Sequence, residues 1–473
     1  MTRYRTSFPI RPVADGLAQI HPNTFPPSNQ ISGMPAIPAS SSDDILDKVG
    51  KHSCQNVNGR HRVEKVFWTV VLLVSFSYGW YFNVLSINRY WTNPVMISIE
   101  RDRFSWSTPL PAVTICPLEN IDEQQLELVL ASRAPKNITK MRKFLSSLFY
   151  ANLSNLGTIL EDADGEIEPE EYVSTILNLQ KKSIAAVMAS GQWLDPKEGL
   201  HQIITEMGIC YCFNSHLALH FSLEYWNASE RRILPEVPTF DLHPLDGENF
   251  AYIANITTSF NVYFHGAHEV PDVRRTPIFM AKDCLMQVYF EALSIISSDD
   301  TKALTIKQRK CRFYHESNLT HFPVYSYMLC RMECRIQLSL QLCGCVPHFY
   351  RNQKFEKICD SAGLRCLSQN QDQLISLEPS GQPCYCEANC EEVNYVLEDV
   401  DTRVWFLGSN LQYGLRKFPE MRFKRVVIFK FYDLLVYMGG VGGLFHGASV
   451  LSFIELFYYY TLRFFWSVYK KQH

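Results

Sequence analysis

The sequence predicts a membrane protein in which two transmembrane helices flank a large, disulfide-rich α/β extracellular domain. Three observations lead to this fold class. The 473-residue chain has two long apolar runs, one towards each end. Fourteen of its fifteen cysteines lie between Cys116 and Cys390, and all five Asn-x-Ser/Thr sequons fall in the same interval. An apolar content of 47% with only 20% charged residues excludes a globally disordered chain.

Residues 1–62 are predicted to form a largely disordered cytoplasmic tail. They contain seven scattered prolines, three consecutive serines at 40–42 and no sustained apolar period. The N-terminus lacks the basic start and short apolar core of a cleaved signal peptide. We therefore expect the first long apolar run to direct membrane insertion.

The first transmembrane helix is predicted over residues 63–88. No charged side chain occurs from Val66 to Ile87. At about 1.5 Å per residue this run covers about 33 Å, enough for a hydrocarbon core of about 30 Å. A buried helix of a soluble core is the alternative, and this length fits it poorly.

The second transmembrane helix is predicted over residues 431–466, followed by a short cytoplasmic tail at 467–473. Five glycines fall between Gly439 and Gly447, and ionisable residues lie in or beside the run. Intramembrane ionisable groups are costly and usually face a water-filled path or a partner. Glycines allow helices to approach closely, or a helix to break and expose carbonyls to a cavity.

The sequons and cysteines place residues 89–430 outside the cell. Two spans put both termini on one side, so we expect a plasma-membrane protein with both termini cytoplasmic. Basic residues before the first span agree with this orientation, but those at 417–430 crowd the outer flank of the second. The positive-inside rule is weak for long translocated domains, so the glycosylation evidence decides. The predicted glycosylation sites are Asn137, Asn152, Asn227, Asn255 and Asn318.

Periodicity predicts a mixed α/β extracellular domain. Alternating patterns indicate strands at 255–264 and 425–431, and helical periods occur at 121–130 and 172–188. Dense cysteines in an oxidising compartment indicate disulfides, and no second Cys-x-x-Cys or His-x3-His completes a zinc set, so no metal site is predicted.

Charge and motifs exclude two functional classes. The formal net charge of -3 offers no basic face for nucleic acid. No nucleophile elbow, phosphate loop, His-Glu-x-x-His motif or kinase motif set is found, so the sequence predicts no enzyme.

Three motifs carry a family resemblance. Pro109–Pro117 reads PLPAVTICP, Gly208–Asn214 reads GICYCFN, and the cysteines from Cys311 follow at steps of 19, 4, 9, 2, 14, 7, 18, 2 and 4 to Cys390. The chain resembles the degenerin/epithelial sodium channel family and looks like its arthropod pickpocket branch. The resemblance implies a palm, finger and thumb type of extracellular domain, with the thumb at about 311–390.

The resemblance also implies a set of disulfides. Cys212 stands where the family has Thr, and its pairing with Cys284 rests only on counting the remaining cysteines. A nested ladder of bridges, at about 2 to 4 kcal/mol each, either stiffens a lever or simply stabilises a loop-rich domain. The implied pairs are Cys116–Cys210, Cys311–Cys390, Cys330–Cys386, Cys334–Cys384, Cys343–Cys366, Cys345–Cys359 and Cys212–Cys284.

Gly447, Ala448 and Ser449 are similar to the family's selectivity tract. The resemblance implies that the second helix breaks here and that three copies form a constriction, with Ser452 and Glu455 below it. Small residues for helix packing are the alternative. Glu455 is expected to form a cation-attracting ring, because Arg463 lies eight residues and about 12 Å further along the helix.

Other candidate positions are open to two interpretations each. Asp433 either attracts cations at the outer mouth or marks a water-exposed helix start. Tyr90 and Trp91 form a joint between extracellular domain and helices, an interfacial anchor, or both.

Two positions leave the family pattern. Asn58-Gly59 occupies the place of a His-Gly pair that influences gating in the family. His446 either titrates near the filter or is neutral and hydrogen-bonded.

The sequence thus predicts a subunit of an amiloride-sensitive, sodium-selective, trimeric channel. Its expected partners are identical or related subunits, membrane lipid and an unknown extracellular stimulus, with sodium as the permeant ion and no cofactor. An ATP-gated purinergic channel would need another cysteine register. A non-conducting adhesion or regulatory subunit would leave Ser449 and Glu455 without a purpose.

Overall fold

A computed structural model describes residues 62–158, 167–181, 185–189, 191–195, 199–228, 233–235, 237–245, 247, 250–353, 355–377, 384–447, 449–463 and 466. Asn58, Gly59 and Ala448 lie outside these described residues.

The described residues contain twelve α-helices, numbered here in chain order. They are α1 (Arg62–Thr92), α2 (Glu123–Arg133), α3 (Ile138–Phe149), α4 (Tyr172–Leu179), α5 (Leu223–Asn227), α6 (Asp299–Lys302), α7 (Ile306–Arg309), α8 (Tyr327–Cys343), α9 (Ser361–Gln369), α10 (Gln371–Ser376), α11 (Phe431–His446) and α12 (Val450–Tyr460).

The strands of the described residues fall into four sheets. They are β1 (Val95–Glu100), β2 (Thr108–Pro109), β3 (Ala112–Pro117), β4 (Ala186–Ala189), β5 (Gln192–Trp193), β6 (His201–Thr205), β7 (Gly208–Phe213), β8 (Asp241–Leu242), β9 (Phe250–Ile256), β10 (Phe260–His265), β11 (Ile278–Met280), β12 (Cys284–Ser297), β13 (Cys311–Arg312), β14 (Ala388–Asn389), β15 (Glu392–Val404), β16 (Ser409–Leu415) and β17 (Arg422–Val427).

The largest sheet has eight strands in the order β1-β17-β12-β16-β9-β4-β5, with β15 paired to β12. β12 runs parallel to β16 and β17, and its pairing with β15 is antiparallel. β1 follows α1 directly and pairs with β17, which leads into α11. The two strands nearest the apolar segments are therefore neighbours in one sheet.

A second sheet of five strands, β11-β10-β3-β7-β6, packs against the first. Phe264 on β10 lies 4.6 Å from Phe290 on β12 and 5.2 Å from Tyr413 on β16, measured between ring centroids. These rings belong to a buried apolar cluster that both sheets contribute to. Burial of this shared face holds the two sheets together.

Helices and disulfides form a second core around the thumb. Its buried side chains come from α2, α3, α4, α8, α9 and the segments between them. Six of the seven bridges that the resemblance implied are present: Cys116–Cys210, Cys311–Cys390, Cys330–Cys386, Cys334–Cys384, Cys343–Cys366 and Cys345–Cys359.

The pairing of Cys212 with Cys284 is wrong, because both are free thiols. Cys212 lies on β7 of the five-stranded sheet, beside Thr114, and Cys284 opens β12 of the other sheet opposite Val404. Burial raises the pKa of the Cys212 thiol to about 11, which keeps it protonated. The cysteine count could not reveal this error, because two free thiols and one disulfide each account for two cysteines.

The strand expected over 425–431 ends at Val427, because α11 begins at Phe431. Two further sequence-based boundaries need correction. The helix expected over 172–188 ends at Leu179, and Ala186–Ala189 instead pairs with β9. The strand expected over 255–264 is two strands in different sheets, separated at residues 257–259. In both cases a sheet partner distant in sequence decides the local structure.

Four predicted glycosylation sites, Asn137, Asn227, Asn255 and Asn318, are exposed, and Asn152 is half-buried. Attachment of a glycan is compatible with the exposed positions and stays a prediction at all five.

Candidate functional site

The second apolar segment is interrupted in its middle. α11 ends at His446, and Gly447 adopts a left-handed conformation with φ of +62°. The Gly447 N–H donates to the carbonyl of Gly443 at 3.1 Å, which closes the last turn. A glycine fits this position because a side chain is strained in left-handed backbone.

Ser449 starts the next helix. Its hydroxyl oxygen accepts a hydrogen bond from the Ser452 N–H at 3.3 Å, and the Ser449 N–H donates to the Ser452 hydroxyl at 3.3 Å. This reciprocal cap satisfies two backbone donors at the start of α12. The break therefore places the carbonyls of the last α11 turn, which lack intrahelical donors, next to two exposed hydroxyls.

Ser452 and Glu455 lie three residues apart on α12, so they share one face of the helix. Both are exposed. Arg463 places its guanidinium over the ring of Tyr459 at 4.7 Å, and no ion pair joins it to Glu455 among the described residues. The carboxylate of Glu455 is thus available to ions or to another copy of the chain.

Asp433 caps the start of α11. Its carboxylate accepts a hydrogen bond from the Lys430 N–H at 2.9 Å, which stabilises the positive end of the helix. The helix-start interpretation of Asp433 therefore has a structural basis, whereas a role at a pore mouth stays a prediction.

Tyr90 and Trp91 lie at the C-terminal end of α1. Their rings are 5.4 Å apart, and the Tyr90 ring lies 6.4 Å from that of Phe431, the first residue of α11. The Tyr90 carbonyl accepts a hydrogen bond from the side-chain amide of Gln308 at 3.3 Å. Tyr90 therefore contacts both the second segment and the extracellular domain.

Residues 298–310 connect β12 to the thumb, and we call them the thumb-base segment. Besides Gln308, it supplies Lys310, whose ammonium donates to the Asn93 side chain at 2.6 Å. Asp300 pairs with Lys430, just before α11, at 2.6 Å. One short segment therefore touches the outer ends of both apolar segments.

α1 and α11 pack closely through a glycine. A methyl group at Gly79 would lie 2.3 Å from Cε1 of His446. The His446 ring packs on Phe76 at 4.3 Å, and the Phe445 carbonyl accepts a hydrogen bond from the Ser75 hydroxyl. Gly439, Gly440 and Gly442, by contrast, face open space.

Glu100 joins the two strands that lead to these segments. Its carboxylate accepts hydrogen bonds from Arg422 at 2.8 Å and from Lys424 at 2.7 Å. These hydrogen bonds, with Lys424 contributing most, lower the pKa of Glu100. Arg422 also lies over the Trp106 ring at 4.4 Å.

Sequence reasoning missed several of these residues. Gly79, Glu100, Gln308 and Asp300 carry no motif of their own, and their partners lie between 130 and 367 positions away in the chain. The glycine inside the first apolar run was the one available signal, because glycine in a transmembrane helix often marks close helix packing.

Together these features indicate a membrane protein. It has one long apolar helix, a second apolar segment with a polar break, and a disulfide-bonded domain that contacts both. Among the described residues, α1 is the helix that is long and apolar enough by itself to cross a bilayer. Comparison with known sequences shows to which family of membrane proteins the chain belongs.

The sequence profile of the amiloride-sensitive sodium channel matches residues 46–459. The chain belongs to this family, as its motifs indicated. Sodium channel protein Nach of Drosophila melanogaster is 23% identical over 464 residues, covering 85% of this chain and 83% of that protein. Bile acid-sensitive ion channel of Homo sapiens is 22% identical over 474 residues, covering 89% and 86%.

Pickpocket protein 11 of Drosophila melanogaster is 24% identical over 223 residues, 44% of this chain and 43% of that protein. The Nach and pickpocket relatives support an arthropod pickpocket-like subunit. A solved structure of a proton-activated chloride channel covers 83% of this chain and 96% of that chain at 7% identity. Its TM-score of 0.23 is too low to support any conclusion.

Family membership establishes the general class of protein to which the chain belongs. Proteins of this family are membrane-resident ion channels and not enzymes, and they are oligomeric assemblies of related subunits.

Proposed function

We propose that this chain is a subunit of a sodium-selective, amiloride-sensitive cation channel in the plasma membrane. It crosses the membrane at residues 63–88 and 431–466, with both termini in the cytoplasm, and three identical or related copies surround the pore. The observation that carries the proposal is the helix break from Gly447 to Ser449, set between two apolar helices.

The break supplies the ligands that a filter for sodium needs. Carbonyls and hydroxyls replace the water around a cation, and ring size together with ligand number excludes larger ions. Gly447 brings backbone close to the axis, and Ser449 adds an oxygen. The Ser449 hydroxyl also caps α12. One lone pair of its oxygen therefore accepts the hydrogen bond from the helix, and the other is available to the ion.

Charged and small residues complete the path. Three copies of Glu455 form a carboxylate ring on the cytoplasmic side of the break, which concentrates cations and repels anions. Asp433 adds negative charge at the outer mouth. The open faces at Gly439, Gly440 and Gly442 suit the close approach of helices from neighbouring subunits.

Gating runs through the extracellular domain. A stimulus that moves the thumb shifts the thumb-base segment, which holds Tyr90 and Asn93 on one side and Lys430 on the other. The β1–β17 pair transmits the same movement to the beginnings of both apolar segments. An amiloride-type blocker would occupy the outer pore.

The test is whole-cell recording of the chain expressed alone and with related subunits. We expect a current that reverses near the sodium equilibrium potential, falls with amiloride and decreases in Glu455→Gln. The matched control is Glu420→Gln, an extracellular carboxylate whose side chain is 81% exposed. Surface chains that carry no current in any combination, or equal effects of the two substitutions, would contradict the proposal.

A further inference from the structure

The thumb contains a buried histidine held between two buried glutamates. His321 precedes α8, Glu333 lies on α8, and Glu356 lies in the segment 351–358 that the Cys345–Cys359 bridge closes. The exposed fractions of these three side chains are 3%, 5% and 6%. Ionisable groups this inaccessible need strong partners.

Each ring nitrogen of His321 faces a carboxylate. Nδ1 lies 3.0 and 3.1 Å from the two oxygens of Glu333, and Nε2 lies 3.0 and 3.2 Å from those of Glu356. Ionised carboxylates only accept hydrogen bonds, so both nitrogens must carry hydrogen. With both carboxylates ionised, this geometry fits an imidazolium, which has an N–H on each ring nitrogen.

The charges around the ring support this protonation state. Burial alone would lower the pKa of His321, but Glu333 and Glu356 outweigh it and raise that pKa. These two carboxylates are the charged groups that face the ring among the described residues, and the nearby Gln337 and Gln353 are neutral. The net charge of the buried triad is about -1 with the ring protonated.

The two glutamates are anchored unequally. Glu333 also accepts hydrogen bonds from the N–H groups of Thr320 at 3.2 Å and His321 at 3.0 Å, and from Gln337 at 3.3 Å. Among the described residues, Glu356 has one further donor, the Gln353 N–H at 2.7 Å. A neutral ring keeps one N–H, so one carboxylate must face a nitrogen lone pair, and Glu356 is the one that can move away.

We propose that His321, Glu333 and Glu356 form a proton-operated latch in the thumb. The protonated ring fastens segment 351–358 to α8, and loss of its proton at alkaline pH releases Glu356 and loosens the segment. The stabilisation is complete below the ordinary histidine pKa of 6.5 and is lost as pH rises through the raised folded-state pKa.

The latch reaches beyond the thumb through Arg351 in the same segment. The Arg351 guanidinium donates to the Ala228 carbonyl at 3.2 Å and lies 4.6 Å from the Tyr225 ring. Release of the segment therefore weakens a contact between the thumb and the region of α5. If the chain conducts, as proposed above, alkaline pH changes gating through this contact.

The test is hydrogen–deuterium exchange of the purified full-length protein at about pH 7 and about pH 9. A synthetic peptide of residues 351–358 corrects for the intrinsic effect of pH on exchange. We expect protection of that segment to fall about tenfold at the higher pH, as for the loss of one charge-assisted hydrogen bond.

Three variants separate the latch from a general effect of pH. Glu356→Gln should stay protected at both values, because its amide can donate to a deprotonated ring nitrogen. His321→Gln should be poorly protected at both. His315→Gln removes an exposed histidine of the same thumb and should respond as the wild type does.

Equal protection of the wild-type segment at the two pH values would overturn the proposal, as would an undiminished pH response in Glu356→Gln. These two proteins decide the matter even if His321→Gln does not fold. Hydrogen–deuterium exchange is measured without recording an ion current. The latch can therefore be tested even if the chain proves not to be a channel. In a conducting channel, alkaline pH should alter the current in the wild type and not in Glu356→Gln.

Discussion

Arg335 on α8 is the largest fully buried side chain among the described residues. Its guanidinium donates to Glu206 at 2.8 and 3.0 Å and to Asp272 at 2.7 Å, so it ties the thumb helix to the turn between β6 and β7. Glu206 also accepts a hydrogen bond from the Tyr350 hydroxyl. Glu206, Asp272 and Tyr350 are all buried, so removing Arg335 leaves the charge of Glu206 uncompensated.

We predict that Arg335→Met destabilises the extracellular domain by about 3 to 5 kcal/mol, because the buried Glu206 loses its cation and Asp272 is left with the longer contact to Arg331 at 3.4 Å. Arg403→Met should change stability by less than about 0.5 kcal/mol, since the Arg403 side chain is 68% exposed. Thermal unfolding and surface expression measure both. Equal behaviour of the two variants would refute the role of the buried network.

Gly79 lies where α1 packs against His446 of α11. We predict that Gly79→Ala lowers the stability of the purified channel by about 1 to 3 kcal/mol, because the new methyl group displaces the His446 ring. In a His446→Ala background the same substitution should be nearly neutral.

Thermal unfolding of the four proteins in this double-mutant cycle gives the coupling energy. An additive cycle would show that Gly79 and His446 do not act on each other.

At this scale the sequence predicted the break but not the contacts around it. Gly447 and Ser449 were identifiable because the tract resembles the family's selectivity tract, and a glycine helix end followed by a capping serine explains the break physically. Arg335 and Gly79 were not, because their partners are set by how distant elements pack. A buried arginine has the same local sequence features as an exposed one.

At the scale of elements, the β1–β17 pair links the two apolar segments. Glu100 accepts hydrogen bonds from both Lys424 and Arg422, and its pKa is lowered as a result. A lowered pKa means that this carboxylate stabilises the folded state above about pH 4.5, its unfolded value, and that the stabilisation is lost as pH falls through the folded-state value.

We therefore predict that Glu100→Gln lowers the unfolding temperature at neutral pH and that the difference from the wild type shrinks below about pH 4.5. The side chain of Glu100 is 30% exposed, so the effect should be modest. Thermal unfolding across pH measures it. A difference that stays constant down to strongly acidic pH would exclude the proposed ionic contribution.

Element boundaries followed the sequence where local signals were strong. The helix expected over 121–130 is present as α2, and Asp122 caps it by accepting from the Gln124 and Gln125 N–H groups. The helix expected over 172–188 was too long, because β4 forms only when β9 lies beside it. Local periodicity contains no information about that pairing.

At the scale of the whole molecule, the cysteines divide into six bridges and two thiols among the described residues. We predict that a non-reducing digest of surface protein recovers the six bridged pairs and labels Cys212 only after denaturation, since its side chain is 1% exposed. Cys284, which is half-buried, should react earlier. Recovery of a Cys212–Cys284 peptide would restore the pairing that the structure contradicts.

The disulfide-rich α/β domain and the thumb bridges followed from the sequence because spacing and family resemblance constrain them strongly. Pairing by elimination had no such constraint. The thumb-base segment also stayed hidden, because its polar contacts to Tyr90, Asn93 and Lys430 arise only when the two apolar segments converge on it.

The central claim is that the break between α11 and α12 lines a sodium path. The most direct measurement is the sodium-to-potassium permeability ratio of channels carrying Ser449→Ala, with Leu451→Ala as the matched control. Leu451 lies two residues further on, is 69% exposed and has no polar group to offer an ion. We predict that Ser449→Ala changes the ratio and Leu451→Ala does not. An unchanged ratio in Ser449→Ala, with normal surface expression and current, would contradict the assignment.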